Sequence, residues 1–188
     1  RLYVRTSEGT SPNQVCETDP SVPDVDVAYT NNCPRGGSGG IFRGLDGYVA
    51  AERSNLGPIP LIKPPYARLV AIDLNQGEIA WRVPFGEGSR IIRNHPLLRG
   101  VDLPDRLGTP GANGPMVTAG GLVFLGGGDP YLYAFDAATG DEVTRVATEF
   151  RTSGNPMTYR SQAGRQFIVI ATGAGPDAML VAFALPEV

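Results

Sequence analysis

The chain has 188 residues and a formal net charge of −3, which is one domain's worth of length and a balance that excludes a basic surface for nucleic acid or an anionic membrane. Hydrophobic residues make up 41% of it, enough for a core, yet no apolar run approaches the roughly 20 residues of a membrane-crossing helix. Its 25 glycines and 17 prolines are 42 of 188 residues, well above an average usage of about 12%, and so many turn formers predict many short strands.

In chain order, the opening RLYVRTS reads as a strand over Arg1 to Val4 rather than as a leader peptide. Residues 8–66 are long and irregular, with RGGSGG at 35–40 and GPIPLIKPP at 57–65. Cys16 and Cys33 bracket an acidic part of that loop. They are either bridged or two free thiols, since spacing does not set geometry. A bridge would remove roughly 3 kcal/mol worth of unfolded-state entropy and would fit an oxidising compartment. Residues 67–74 and 78–85 read as strands joined at Asn75-Gln76-Gly77, with Gly77 suited to a positive-φ turn position. A loop over 86–114 follows. Strands are then predicted at 115–118, 122–126, 131–137 and 142–148, and again at 156–160, 166–173 and 179–185. No segment offers a helical period with caps, so the chain is predicted to be all-β.

The stretch AIDLNQGEIAW, Ala71 to Trp81, returns as AFDAATGDEVT, Ala134 to Thr144, 63 residues on. PMVTAGGLVFLGG at 115 aligns with PMTYRSQAGRQFIVIATG at 156, and Ala134-Phe135 aligns with Ala182-Phe183. The repeating unit is a four-stranded meander, A to D, and such a unit every 40–50 residues marks the blades of a β-propeller. The predicted division is a partial blade over 1–85 with the long loop 8–66 inside it, a complete blade over 115–148 and a partial last blade over 156–186. A blade lacking a strand leaves an open sheet edge, and ten strands do not close a ring. The sequence therefore predicts the C-terminal portion of a larger propeller.

In such a meander the A–B and C–D turns share one face, and the B–C and D–A connections share the other. The long or unusual loops (8–66, 86–114, 127–130, 149–155 and 173–178) all fall on the second face, which becomes the predicted working face. Its chemical residues are Asp129 in GGGDP, Asn113 in GTPGANG, Lys63, and Arg90, Arg93, Asn94, His95 and Arg99 in the 86–114 loop. Arg93, Asn94 and His95 are the substrate-pocket candidates. Each also has an ordinary reading: Asp-Pro is turn chemistry, the arginines anchor loops, and His95 packs in a loop although histidine is a common acid or base. GGGDP leads into a strand, so it is no dinucleotide loop. No Cys/His spacing suits zinc, and nothing near His95 favours a serine triad.

The repeated stretch resembles the tryptophan-docking motif of quinoprotein propellers, roughly Ala-x-Asp-x-x-x-Gly-x-x-x-Trp. It is complete at Ala71, Asp73, Gly77 and Trp81, and has Thr144 in place of Trp in the second copy. LIKPPYARLVAIDLNQGEIAWRVPFG, RNHPLL, GTPGANGPMVTAGGLVFLGGGDPYLYAFDAATG and NPMTYRSQAGRQFIVIATGAG, in that order, resemble the C-terminal part of pyrroloquinoline quinone (PQQ)-dependent dehydrogenases over about 57–186. The resemblance implies an eight-bladed propeller with PQQ and Ca²⁺ at its axis. It implies a periplasmic or periplasm-facing, membrane-associated enzyme that oxidises an alcohol, polyol or sugar by hydride transfer to the quinone and hands electrons to a quinone or cytochrome acceptor. The family's catalytic base, stacking tryptophan and main metal ligands lie in upstream blades. It therefore implies no catalytic or metal residue in this chain, and no activity without the remaining blades of the same propeller. By position it implies cofactor contacts at Asp129, Asn113, Gly114 and Gly175. Gly175 stands where the glucose-oxidising group has a histidine, which points toward a different alcohol or polyol. The alternative is a non-enzymatic propeller of the same repeat family acting as a scaffold for protein assembly. The docking motif is structural and fits both readings, whereas the loops RNHP, GTPGANG and GGGDPYL favour the enzyme.

Overall fold

The computed structural model describes residues 1–8, 16–17, 29–30, 60 and 62–185; the pairing of Cys16 with Cys33 lies outside the described residues. The chain divides into two compact units, Gly9–Ile62 with His95–Leu97 and the remainder. In the first, β2 (Cys16–Glu17) pairs antiparallel with β3 (Tyr29–Thr30).

The second unit holds three antiparallel sheets among the described residues. In the first sheet β1 (Leu2–Ser7) lies against β4 (Ala67–Asp73), which pairs with β5 (Glu78–Pro84); Tyr3 stands opposite Ala71. The second is a complete meander of β6 (Met116–Val117), β7 (Leu122–Leu125), β8 (Tyr131–Asp136) and β9 (Glu142–Ala147). The third is β10 (Met157–Arg160), β11 (Gln166–Thr172) and β12 (Met179–Phe183). The single-turn helix α1 (Arg90–Arg93) interrupts the 86–114 loop, where the sequence offers no helix; the Ser89 hydroxyl accepts from the Ile91 N–H and caps it. Four residues are too few to show a helical period, so only the cap could have signalled it.

Strand alternation places Ala67, Leu69 and Ala71 of β4 wholly inside, as a half-buried strand requires. Leu69 and Phe85 meet Val123, Leu125, Tyr133, Phe135 and Ala137 in the core between the first and second sheets. Phe85 packs edge-on to Tyr133 with ring centroids 5.3 Å apart. Burial of each such large side chain favours the fold by roughly 1.5–3 kcal/mol. β9, the last strand of its sheet, is exposed throughout.

The repeated stretch folds the same way twice. Asp73 Oδ1 accepts from the N–H groups of Asn75 and Gln76, and Asp136 Oδ1 from those of Ala138 and Thr139. Gly77 and Gly140 close the two turns at φ 71° and 83°. The pairing register slips after Ala71 in one copy and after Ala134 in the other. From β5 the Trp81 side chain reaches across to the turn of the second sheet. Its Nε1 donates to the Ala137 carbonyl at 3.2 Å, and a Cβ on Gly140 would stand 2.7 Å from its Cε3. Tyr3 packs on the indole at 5.8 Å and donates its hydroxyl to the same carbonyl.

The Thr139 and Ala138 N–H groups hold the Asp136 carboxyl below the usual carboxylate range because they bond its charged form. Its contribution to stability is complete above the ordinary aspartate value of about 3.9 and is lost as the pH falls through the lowered native value. Asp136→Asn should therefore flatten the acid limb of a plot of urea midpoint against pH. An unchanged slope would contradict this.

Candidate functional site

In the second unit, the connections entering β6, β8, β10 and β12 converge on a cleft of about 580 Å³. Its lining comes from residues 110, 111 and 113, from 127–128 and 150–153, and from 173, 174 and 177. All are B–C or D–A connections. Short, glycine-rich backbone brings them together, and a few side chains fasten them.

Thr152 is the main fastener. It is buried, its hydroxyl accepts from the Gly127 N–H at 2.5 Å, and that hydroxyl donates to the Asp129 carbonyl at 3.0 Å. Its own N–H donates to Asp129 O, and its carbonyl accepts from the Gly128 N–H at 3.1 Å. It also bridges to Thr172 at the end of β11. On either side the Gly173 N–H donates to Arg151 O and the Ser153 N–H to Ala171 O. Gly126 permits this closeness, because a Cβ there would run into Ile170 and Thr152.

Arg5 of β1 fastens the opposite wall. Its Nη2 donates to the carbonyls of Thr109 at 2.5 Å and Gly127 at 2.8 Å, and its Nη1 reaches Gly126 O at 3.4 Å. The guanidinium lies over the Phe85 ring, 4.8 Å from its centroid, a favourable cation–π placement. Burial lowers the Arg5 pKa and the nearby Asp129 charge opposes that; the group stays cationic, as arginine does in proteins. A Cβ on Gly111 would meet Arg5 Nη2 at 2.6 Å, and one on Gly127 would meet Nη1 and the Asn113 side chain.

Asp129 is 5% exposed and stands behind the cleft wall rather than in its lining. Its Oδ2 accepts from the Tyr133 hydroxyl at 2.7 Å, the Glu87 N–H at 3.1 Å and the Thr109 hydroxyl at 3.3 Å. Its Oδ1 is buried without a partner among the described residues. Burial first, then the Asp129 charge and hydrogen bond, push the Tyr133 phenol up, so Tyr133 remains a donor. Asn113 lines the cleft, and its amide makes no hydrogen bond among the described residues. Gly114 adjoins it, giving its N–H to Asn155 Oδ1 at 2.7 Å. Gly175, at φ 58°, opens the 3₁₀ turn Gly175–Asp177; Gly173, Ala174 and the turn's last residue Asp177 line the cleft, and Gly175 itself does not.

The 86–114 candidates fall elsewhere. Arg93 Nη2 is within hydrogen-bond distance of the carbonyls of Glu87, Pro104 and Asp105 at 3.0–3.3 Å, so this guanidinium clasps its own loop. Asn94 caps α1 through its backbone N–H to Arg90 O and is exposed. His95 belongs to the other unit, where its Nδ1 accepts from the Leu97 N–H at 3.3 Å. Lys63 is exposed. Sequence reasoning passed over Arg5, Arg151, Thr152 and Asp177. The one available signal was an arginine inside the otherwise apolar opening strand LYVR. Among the described residues no three of His, Cys, Asp and Glu come together as metal ligands.

Successive antiparallel meanders that pack through a tryptophan clasp, with a cleft on the face of their longer connections, define this chain as part of a β-propeller. The family described as PQQ glucose/ethanol/alcohol dehydrogenase, beta-propeller domain, matches residues 39–168, and the chain belongs to that family. It is 40% identical over 136 residues to the "Probable quinate dehydrogenase (quinone)" of Xanthomonas campestris pv. juglandis, covering 69% of this chain and 17% of that protein. It is 36% identical over 136 residues to the quinate/shikimate dehydrogenase (quinone) of Acinetobacter baylyi (69% and 16%). It is 35% identical over 133 residues to the glycerol dehydrogenase large subunit of Gluconobacter thailandicus (66% and 17%). The chain thus spans about a sixth of the length of these relatives.

Proposed function

We propose that this chain is part of a PQQ-dependent dehydrogenase that oxidises a polyol, and that its four converging connections form one wall of the cofactor and substrate site. The cleft carries this reading. Its volume of about 580 Å³ lies within the range of roughly 300–1,000 Å³ common to cofactor and ligand sites. Among the residues present, the Asn113 amide fits a flat, oxygen-rich quinone, since it bonds no described residue and both donates and accepts. When bound, PQQ supplies the hydride acceptor. Asn113 orients ligand oxygens, while Arg5, Asp129 and Thr152 hold the loops at fixed separation and keep that geometry preorganised.

In this reading the ion and the catalytic base belong to other blades of the full protein, as the resemblance to the family implies. A quinone or cytochrome acceptor, supported by the quinone named in two of the relatives, and a periplasmic location complete the reading. The full-length protein with PQQ and Ca²⁺ should reduce an acceptor dye with quinate or glycerol and far less with glucose. Absence of both PQQ binding by fluorescence titration and dye reduction with every alcohol, polyol and sugar would overturn the proposal.

A further inference from the structure

One dipeptide in the cleft wall is chemically labile, whatever the cleft binds. Of the eight asparagines in the chain, only Asn113 precedes a glycine. The main-chain nitrogen of the following residue can attack the Cγ of an asparagine, a five-membered ring closure within one chain that needs no second molecule to be brought into place. A side chain on the following residue crowds that closure, and glycine has none. The Asn113 side chain is half-buried, and no hydrogen bond to a described residue holds it. Nor does the fold require glycine at 114. Its φ lies outside the left-handed region, and a Cβ there would meet only Asn155, at 3.6 Å or more.

Two neighbours act on this reaction in opposite senses. Ring closure puts negative charge on Asn113 Oδ1. That oxygen and Arg5 Nη1 both lie within 2.8 Å of the place a Cβ on Gly127 would take, so a cation stands beside the developing charge and favours it. The Gly114 nitrogen must lose its proton to attack, and its N–H is held by Asn155 Oδ1 at 2.7 Å. An amide oxygen is too weak a base to take that proton, and its hydrogen bond stabilises the protonated form. We infer that Asn113-Gly114 is a site of spontaneous deamidation and that Asn155 is the gate that slows it. The Gly114 nitrogen gives its proton to water or hydroxide and bonds to Asn113 Cγ. The Cγ–Nδ2 bond breaks, and ammonia leaves with a proton taken from water. Water then opens the succinimide at either carbonyl, leaving aspartate or isoaspartate, with no change of oxidation state. The product adds a negative charge to the cleft wall, and the iso form also adds a main-chain carbon ahead of β6. Asn155 is itself spared, because Pro156 has no N–H.

The test ages the full-length protein in neutral buffer and follows each asparagine by peptide mass mapping, in the parent, Asn155→Ala and Gly114→Ala. Rates are taken at a temperature where circular dichroism shows every variant fully folded. Aspartate and isoaspartate should accumulate at position 113 in the parent, while Asn75, exposed but followed by glutamine, stays intact. Loss of one neutral hydrogen bond should raise the rate in Asn155→Ala roughly three- to ten-fold, and Gly114→Ala should abolish the reaction over the same period. In urea the parent and Asn155→Ala should react at one rate, since the gate exists only in the folded chain. Product at 113 in Asn155→Ala alone would mean a tighter gate and supports the proposal. Equal rates for folded parent and folded Asn155→Ala would overturn the gate. Absence of product at 113 in both, an unchanged rate in Gly114→Ala, or as much product at Asn75 as at Asn113 would overturn the site. Asn155 is exposed, so the melting temperature of Asn155→Ala should match the parent.

Discussion

Alanine at position 140 is expected to cost about 3 kcal/mol of stability, and alanine at position 77 about 1 kcal/mol. The two glycines hold equivalent places in the repeated turn, at φ 83° and 71°, so both substitutions carry the left-handed backbone penalty of roughly 1–2 kcal/mol. They differ in what a methyl group meets. At Gly77 nothing lies within 4 Å, whereas at Gly140 the new Cβ falls 2.7–2.8 Å from Cε3 and Cδ2 of Trp81. The indole has little room to yield, since Nε1 is bonded to Ala137 O and Tyr3 covers it. Overpacking of this kind adds roughly 1–3 kcal/mol. Urea unfolding of the two variants measures the difference directly, and equal losses would show that Trp81 does not clamp the neighbouring blade. Trp81→Leu combined with Gly140→Ala should cost less than the sum of the single changes, because one change removes what the other collides with.

Arg5→Met should also cost about 3 kcal/mol, for a different reason. The substitution keeps length and flexibility but removes every donor. The carbonyls of Thr109, Gly126 and Gly127 lose their partner, and an unsatisfied buried polar group costs roughly 1–3 kcal/mol. Asp129 loses the cation that acts on it electrostatically. Part of this is offset because a guanidinium no longer has to be buried. Arg5→Lys keeps the charge but not the planar fork, and should recover less than half of the loss. Adding Asp129→Asn to Arg5→Met should cost about 1 kcal/mol less than additivity predicts if the two groups are coupled. The measurement is again the urea midpoint, accompanied by PQQ titration of the full-length protein, since the unpinned loops should bind the cofactor more weakly. An Arg5→Met variant within 0.5 kcal/mol of the parent would exclude the role assigned to Arg5.

The strands were legible because their signals are local. Alternation bounded by glycine turns places strands at 67–74 and 131–137, and the structure has Ala67–Asp73 and Tyr131–Asp136. The opening strand runs three residues beyond the apolar run, to Ser7, since pairing with Arg68 and Ala67 rather than hydrophobicity holds its end. Asn113 could be picked out from the unusual loop GTPGANG. Asp129 could be picked out too, but not its partners, which come from Glu87, Thr109 and Tyr133 in three separate segments. Arg5 showed only as a charge in an otherwise apolar strand, and its role stayed hidden because its three acceptors lie 104 to 122 residues away. Contacts of that range exist only once neighbouring sheets have packed.

Thr152 has a consequence for recombination. It follows β9, yet its partners are Gly127, Gly128 and Asp129 before β8 and Thr172 at the end of β11. Transplanting the four-strand blade 115–148 into a related propeller would separate this threonine from the loop it fastens. Transplanting 126–173 would carry the threonine, its partners and most of one cleft wall together. The portable piece of this site is therefore out of phase with the blade that composes the fold, so chimeras should cross over inside sheets, just after β7 and just after β11, rather than at the boundaries between them.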